Sequence, residues 1–220
     1  MSLPPRLAAP PLLAYLAGGP SSTAEARGRR LASGVVAMIF GLLRRRAAAE
    51  PTAAERIYAG LVSAARRPAL YRELSVPDTL PARFELIVLH VALYLRGLRR
   101  GGPDAAARAQ EVIEEMFRSL DASLREMGVG DLSVPKKMKP IIRAFYDGAA
   151  QYDAALDRRD ELALTAALAR IVYRDAPAAS DAPASLAAYV LAAADAVQSQ
   201  PVESLVAVGP AFPVIQEVAP

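Results

Sequence analysis

The segment 81–100 limits what this chain can become more than any other. After Pro81, the residues Phe84, Ile87, Val88, Val91, Leu95 and Leu98 recur at helical spacing, and Leu86, Leu89 and Leu93 form a second stripe on the opposite side. A helix that is apolar on two faces cannot rest on a surface; it has to be sandwiched between other elements. This segment is therefore predicted to be the central helix of the fold. Two polar seams run between its stripes, Arg83/His90/Tyr94 on one flank and Glu85/Arg96 on the other.

The rest of the chain supplies helices to pack against it. Pro51-Thr52-Ala53-Ala54-Glu55 reads as a capping box, and Ile57, Leu61, Val62 and Ala65 follow at helical spacing until Pro68 stops the helix. A short connection through Tyr71, Val76 and Pro77 leads to Asp78 and Thr79, both good N-caps. Gly101-Gly102-Pro103 breaks the chain, Asp104 caps the next helix, and there Val112, Ile113, Met116, Phe117, Leu120 and Leu124 face inward. Its charges are spaced for pairs four apart, Glu114 with Arg118 and Asp121 with Arg125, as on a solvated face.

Gly128-Val129-Gly130 ends that helix, and Ser133 with Pro135 starts another, with Met138, Ile141, Ile142, Phe145, Ala149, Tyr152 and Leu156 on one stripe. Further helices are expected over about 160–173 and 183–198. No sustained period-two alternation, βαβ rhythm or internal repeat interrupts the pattern. The expected fold is all-α, a single helical domain of about seven helices over 51–200. It is flanked by a flexible N-terminal arm, 1–50, and an extended C-terminal tail, 201–220, that lies back on the body.

Charge sets the arm apart. Seven of the chain's 26 basic residues and two of its 23 acidic ones fall in residues 1–50, so the arm is net +5 and the remainder −2. Pro4, Pro5, Pro10, Pro11 and Pro20 interrupt every apolar run before residue 21. The run 31–43, apolar except Ser33, is shorter than the roughly 20 residues that span a bilayer, and Arg44-Arg45-Arg46 lies on the wrong side of it for a secretory signal. Two readings stand: an Arg-rich organelle transit peptide, or a start at Met38 that leaves 38–46 as a short interfacial anchor for an anionic membrane surface. Of these two we favour the second, and a leader that touches nothing stands beside it as the alternative.

Residue types narrow the chemistry. Zero Cys excludes a disulfide scaffold, a thiol nucleophile and a thiolate metal cage, and the single His, His90, excludes a multi-histidine metal site. An axial haem or metal role for His90 is outweighed by that of a core histidine bonded to a carboxylate or carbonyl. Gly128-Val129-Gly130-Asp131 is only part of a phosphate loop and follows a helix, while Glu114 and Glu115 point outward. No catalytic set, cofactor, metal or specific nucleic acid is expected. The odd feature is Lys136, Lys137 and Lys139 in the first turn of a helix, where the macrodipole disfavours exposed cations by about 0.3–1 kcal/mol each. Lys136, Lys139 and Arg143 share one flank next to apolar Val129 and Leu132, and these five form the candidate client or partner surface. Arg83, Glu85, His90, Arg125, Glu126 and Asp131 are read as a structural polar network, the last three locking two helix ends together.

Several of these residues sit in longer familiar blocks. They include Ala69-Leu70-Tyr71, Val76-Pro77-Asp78-Thr79, Arg83-Phe84-Glu85-Leu86, Leu89-His90, Met116-Phe117 and Phe145-Tyr146. The most specific is Leu124-Arg125-Glu126-Met127-Gly128-Val129-Gly130-Asp131-Leu132-Ser133-Val134-Pro135-Lys136-Lys137-Met138-Lys139. Over about 52–175 the chain resembles the ubiquinol-cytochrome c chaperone family, the assembly factors for cytochrome b of the respiratory bc complex. That resemblance implies a non-enzymatic, all-helical chaperone that binds newly made cytochrome b, with the ribosome or a small partner subunit as further partners. It also implies a place on the cytoplasmic face of the inner membrane in a bacterium, or the mitochondrial matrix side in a eukaryote. From the residues alone, a helical adaptor binding RNA or ribosome through Lys136, Lys137, Lys139 and the arm stands as the alternative.

One expectation concerns the arm: removing residues 1–46 leaves a folded protein and shifts it from the membrane to the soluble fraction on cell fractionation. An unchanged membrane fraction would reject the anchor.

Overall fold

The computed structural model describes residues 50–174 and 181–215, so all of the arm but its last residue, including the anchor expected at 38–46, lies outside the described residues. Helix α1, Ala53–Ala65, opens on the expected capping box: the Thr52 hydroxyl accepts from the Glu55 N–H at 3.2 Å, and the Thr52 N–H donates to Glu55 Oε2 at 2.8 Å. Pro68 does more than stop this helix. It opens a five-residue helix, α2, Pro68–Arg72, where only a connection was expected. A proline in the first turn loses no hydrogen bond, and buried Leu70 anchors the turn to the core.

Thr79 caps α3, Leu80–Leu98, whereas Asp78 pairs with Arg83 instead of capping. Then come α4, Pro103–Glu126; α5, Val134–Asp157; α6, Glu161–Ile171; α7, Ala182–Ser199; and α8, Val202–Val208. Among the described residues there are thus seven helices of at least seven residues, plus the short α2. Pro140 lies inside α5 and removes the N–H that would serve the Lys136 carbonyl.

The two-sided apolar pattern of α3 is satisfied by packing all around it. Helices α1, α4, α5, α7 and α8 contact α3, and every residue from 85 to 94 is buried. Helix α6 sits outside, between α5 and α7. The crossing of α3 and α7 is close enough that a Cβ on Gly97 would lie 2.5 Å from Val197 Cγ1 and 3.1 Å from Leu205 Cδ1. Gly97 is what lets these helices touch.

Three further local expectations change, the first at the start of α4, where Gly102 stands at the N-cap and Asp104 lies inside the first turn instead of capping it. Over the described residues 201–215 the C-terminal segment lies against the body, and its first part is helical where an extended tail was expected: α8 follows Pro201 and buries Leu205. Beyond it, Phe212 is buried, Arg67 donates to the Pro213 carbonyl at 2.7 Å, and the Gln200 amide makes two 2.8 Å bonds to Ala211. On α4, Arg118 pairs with Glu115 three residues back instead of Glu114, which receives the Gln110 amide. Positions three and four apart are both neighbours on a helix, so the spacing alone does not choose. Arg125 does pair with Asp121, at 2.6 Å.

Two glycines give opposite outcomes. Gly97→Ala forces α3 from α7 and α8 and is expected to cost about 1–3 kcal/mol. Gly60→Ala, on α1 where a Cβ meets nothing, is expected to stabilise by about 0.5–1 kcal/mol. Denaturant unfolding of the two variants checks both signs.

Candidate functional site

The far end of the α4–α5 hairpin is built separately from the main core. Leu124, Val134, Met138 and Ile141 form their own small apolar cluster, with Phe84, Phe117, Leu120, Met127, Val129 and Ile142 packed around it. Helix α4 closes with paired bonds, Gly128 N–H to the Arg125 carbonyl at 2.9 Å and Val129 N–H to the Leu124 carbonyl at 3.1 Å. Such a closure needs a left-handed residue, and Gly128 takes it at φ +82°. The Ser133 and Val134 N–H groups then both donate to the Gly130 carbonyl, at 2.7 and 3.2 Å, and α5 begins. The turn is held at both ends.

On this frame the structure places the candidate surface. Leu132 is 90% exposed, the highest exposure of any large hydrophobic side chain among the described residues. Val129 is half-buried, and Lys136, Lys139 and Arg143 are exposed along α5, on the side away from buried Met138 and Ile141. Arg125 bridges Asp121 on its own helix and Asp131 in the turn, so these residues do tie the helix end to the turn. Glu126 is exposed. With both partners in solvent, such pairs contribute less than about 1 kcal/mol each, and the glycine closure and apolar cluster hold the turn.

The other residues expected in one polar network belong to separate contacts, each reaching a different element. Arg83 pairs with Asp78, Nη2 to Oδ2 at 2.9 Å, and its guanidinium lies 5.3 Å from the Tyr71 ring centre. Tyr94 donates to the Leu205 carbonyl at 3.2 Å, while Arg96 reaches Asp153 and Asp157 on α5. Glu85 is buried with Arg174 Nη2 at 4.0 Å from its Oε1, and burial pushes its carboxyl up to about 7 against the pull of Arg174. Near it, Tyr152 is fully buried with its hydroxyl unpartnered, and burial together with the Glu85 charge holds its phenol well above the ordinary value.

His90 is a core histidine bonded to a carbonyl, as expected. Its Nδ1 lies 2.8 Å from the Leu86 carbonyl and its Nε2 3.0 Å from the Tyr189 hydroxyl. A carbonyl can only accept, so Nδ1 carries the proton and Nε2 accepts from Tyr189. The Phe212 ring meets the imidazole edge-on at 4.8 Å. Burial lowers the imidazole to about 4, so it is neutral at pH 7, and both ring nitrogens are engaged inside the protein. Sequence reasoning put Tyr152 on the buried stripe, where it lies, but missed Tyr189, Phe212 and Arg174. Their character was visible, but the contact of Tyr189 with His90 spans 99 residues of chain and that of Phe212 with His90 is longer still, and no local spacing encodes either. Among the described residues there is no cluster of His, Asp and Glu able to hold a metal, and no helix long and apolar enough to cross a membrane.

A packed helical body that offers a rigid, apolar-tipped and basic turn has the make-up of a protein-binding module. Its family is specific: residues 72–212 match the ubiquinol-cytochrome C chaperone family, and the chain belongs to it. A crystal structure described as the Cbp3 homolog from Brucella abortus is 38% identical and superposes with a TM-score of 0.69, covering 82% of this chain and 99% of that one. The ubiquinol-cytochrome-c reductase complex assembly factor 1 of Xenopus laevis is 25% identical over 118 residues, 54% of this chain. The chain spans 58% of that relative's length in the match.

The buried pair of titrating groups predicts the pH profile of stability. His90 is depressed in the fold, so its contribution is present above pH 6.5 and lost as pH falls through about 4. Glu85 is raised, so its contribution is present below pH 4.5 and lost as pH rises through about 7. Between pH 4.5 and 6.5 the two slopes oppose. Chemical denaturation across pH 4–8 is expected to show that His90→Gln leaves stability falling with pH from 4.5 to 7, whereas Glu85→Gln leaves it rising from 4 to 6.5. Tyr189→Phe, which leaves Nε2 of His90 without its donor, is expected to cost about 1–3 kcal/mol.

Proposed function

We propose that this protein is an assembly chaperone that binds newly synthesised cytochrome b and supports assembly of the ubiquinol-cytochrome c reductase complex. The observation that carries the reading is the family match over 72–212, which includes the whole α4–α5 turn and the helices that hold it. The relative named as an assembly factor of that reductase complex supports the same direction. In this reading the client meets the surface of Val129, Leu132, Lys136, Lys139 and Arg143, an apolar tip beside basic side chains suited to a hydrophobic protein with acidic flanks. The protein works without a cofactor at the inner membrane, with the arm on the lipid surface and the ribosome or a small subunit as further partners.

Charge reversal tests the contact. Lys136→Glu suits the first turn of α5, where an acidic residue gains about 0.3–1 kcal/mol, and Lys139 is exposed in the second turn, not the first as expected, so the double variant with Lys139→Glu is expected to fold. Cells carrying it are expected to lose cytochrome b and ubiquinol-cytochrome c reductase activity as a deletion strain does. Normal cytochrome b with a stably expressed double variant rejects the contact; normal levels in the deletion strain reject the chaperone reading itself.

A further inference from the structure

We infer that the turn joining α4 and α5 is a lipid-facing element: Leu132 enters the interfacial layer of an anionic bilayer while Lys136, Lys137, Lys139 and Arg143 meet its headgroups. The inference goes beyond the proposed client contact, giving the same side chains a second occupant, the bilayer.

Leu132 is the first observation. Its exposure does not come from a loose loop, because the backbone on both sides is closed by hydrogen bonds and the apolar cluster of Leu124, Val134, Met138 and Ile141 lies beneath. A large apolar side chain held out by a rigid frame is suited to insertion into an apolar phase.

Charge is the second. Residues 125–143 hold five basic side chains and two acidic ones, in a chain whose residues after 50 are net negative. One of the two acids, Asp131, is paired with Arg125. Two of these cations, Lys136 and Lys137, lie at the start of the 24-residue helix α5, and Lys139 and Arg143 continue the basic flank along it, an arrangement favourable against an anionic surface. An RNA or a soluble acidic segment would satisfy the lysines but offers no apolar phase to Leu132. A bilayer offers both, in the layered order in which the turn presents them.

The chain has no Trp and no Cys, so a single reporter at this position reads this position alone, whatever the arm does. Full-length Leu132→Trp is mixed with vesicles of phosphatidylcholine containing phosphatidylglycerol, and with phosphatidylcholine vesicles alone. The expected result is a blue-shifted emission, quenched by brominated acyl chains, on the anionic vesicles only. Adding Lys137→Gln and Lys139→Gln is expected to weaken partitioning of the reporter about 25-fold, about fivefold per residue. A dye on Leu132→Cys gives a second, independent reporter. Emission unchanged on anionic vesicles overturns the inference, even if the protein sediments with them through its arm. An equal shift with soluble polyglutamate and no lipid also overturns it, assigning the surface to an acidic protein segment. No client is present, so the proposed chaperone function and this inference fail independently.

Discussion

Everything in this structure depends on burying one helix from all sides. Helix α3 carries apolar side chains around almost its whole circumference, and at roughly 1.5–3 kcal/mol per large buried side chain no partly solvated arrangement competes. The other helices are arranged to cover it: α1, α4, α5, α7 and α8 touch it directly, and α6 seals the gap between α5 and α7. Gly97 sets how close this packing becomes, because α7 and α8 occupy the space that a side chain there would take.

A helix buried this deeply cannot leave its polar groups to solvent. His90 is satisfied by a carbonyl one turn back and by Tyr189 from α7, with Phe212 of the C-terminal segment against its ring. Glu85 is less well served: Arg174 stands 4.0 Å away, and the buried carboxyl answers by holding its proton to higher pH. The interior thus contains one group kept neutral by losing a proton and another by keeping one. That is the expected response of titratable groups to a dry core, and it opposes their effects on stability near pH 5–6.

The α4–α5 turn escapes this constraint. It stands on a small apolar cluster of its own, so its outer residues are free to serve a surface other than the core. The chain's membership of the ubiquinol-cytochrome C chaperone family makes that division of labour intelligible. A packed body carries a short, cationic projection with the exposed Leu132 at its tip.

The helical class, the central place of α3, the capping box at Thr52 and Glu55 and the glycine end of α4 were all written locally, because periodicity and capping act within a turn or two of chain. The basic flank of α5 was legible for the same reason, since it follows from position relative to a buried stripe, whereas Leu132 was legible as a residue of the turn between two helices. Partners were not. Helical spacing put Arg83, His90 and Tyr94 on one seam and Glu85 with Arg96 on another, yet the structure sends them to Asp78, Tyr189, Leu205, Arg174 and Asp157. A seam records direction from a helix axis, and what stands in that direction is set by how the other helices pack. The sequence by itself determined which faces had to be buried and which residues had to find partners. Only the tertiary structure decided which partners those were, because contacts across nearly a hundred residues depend on the collective packing of the core and on no local rule.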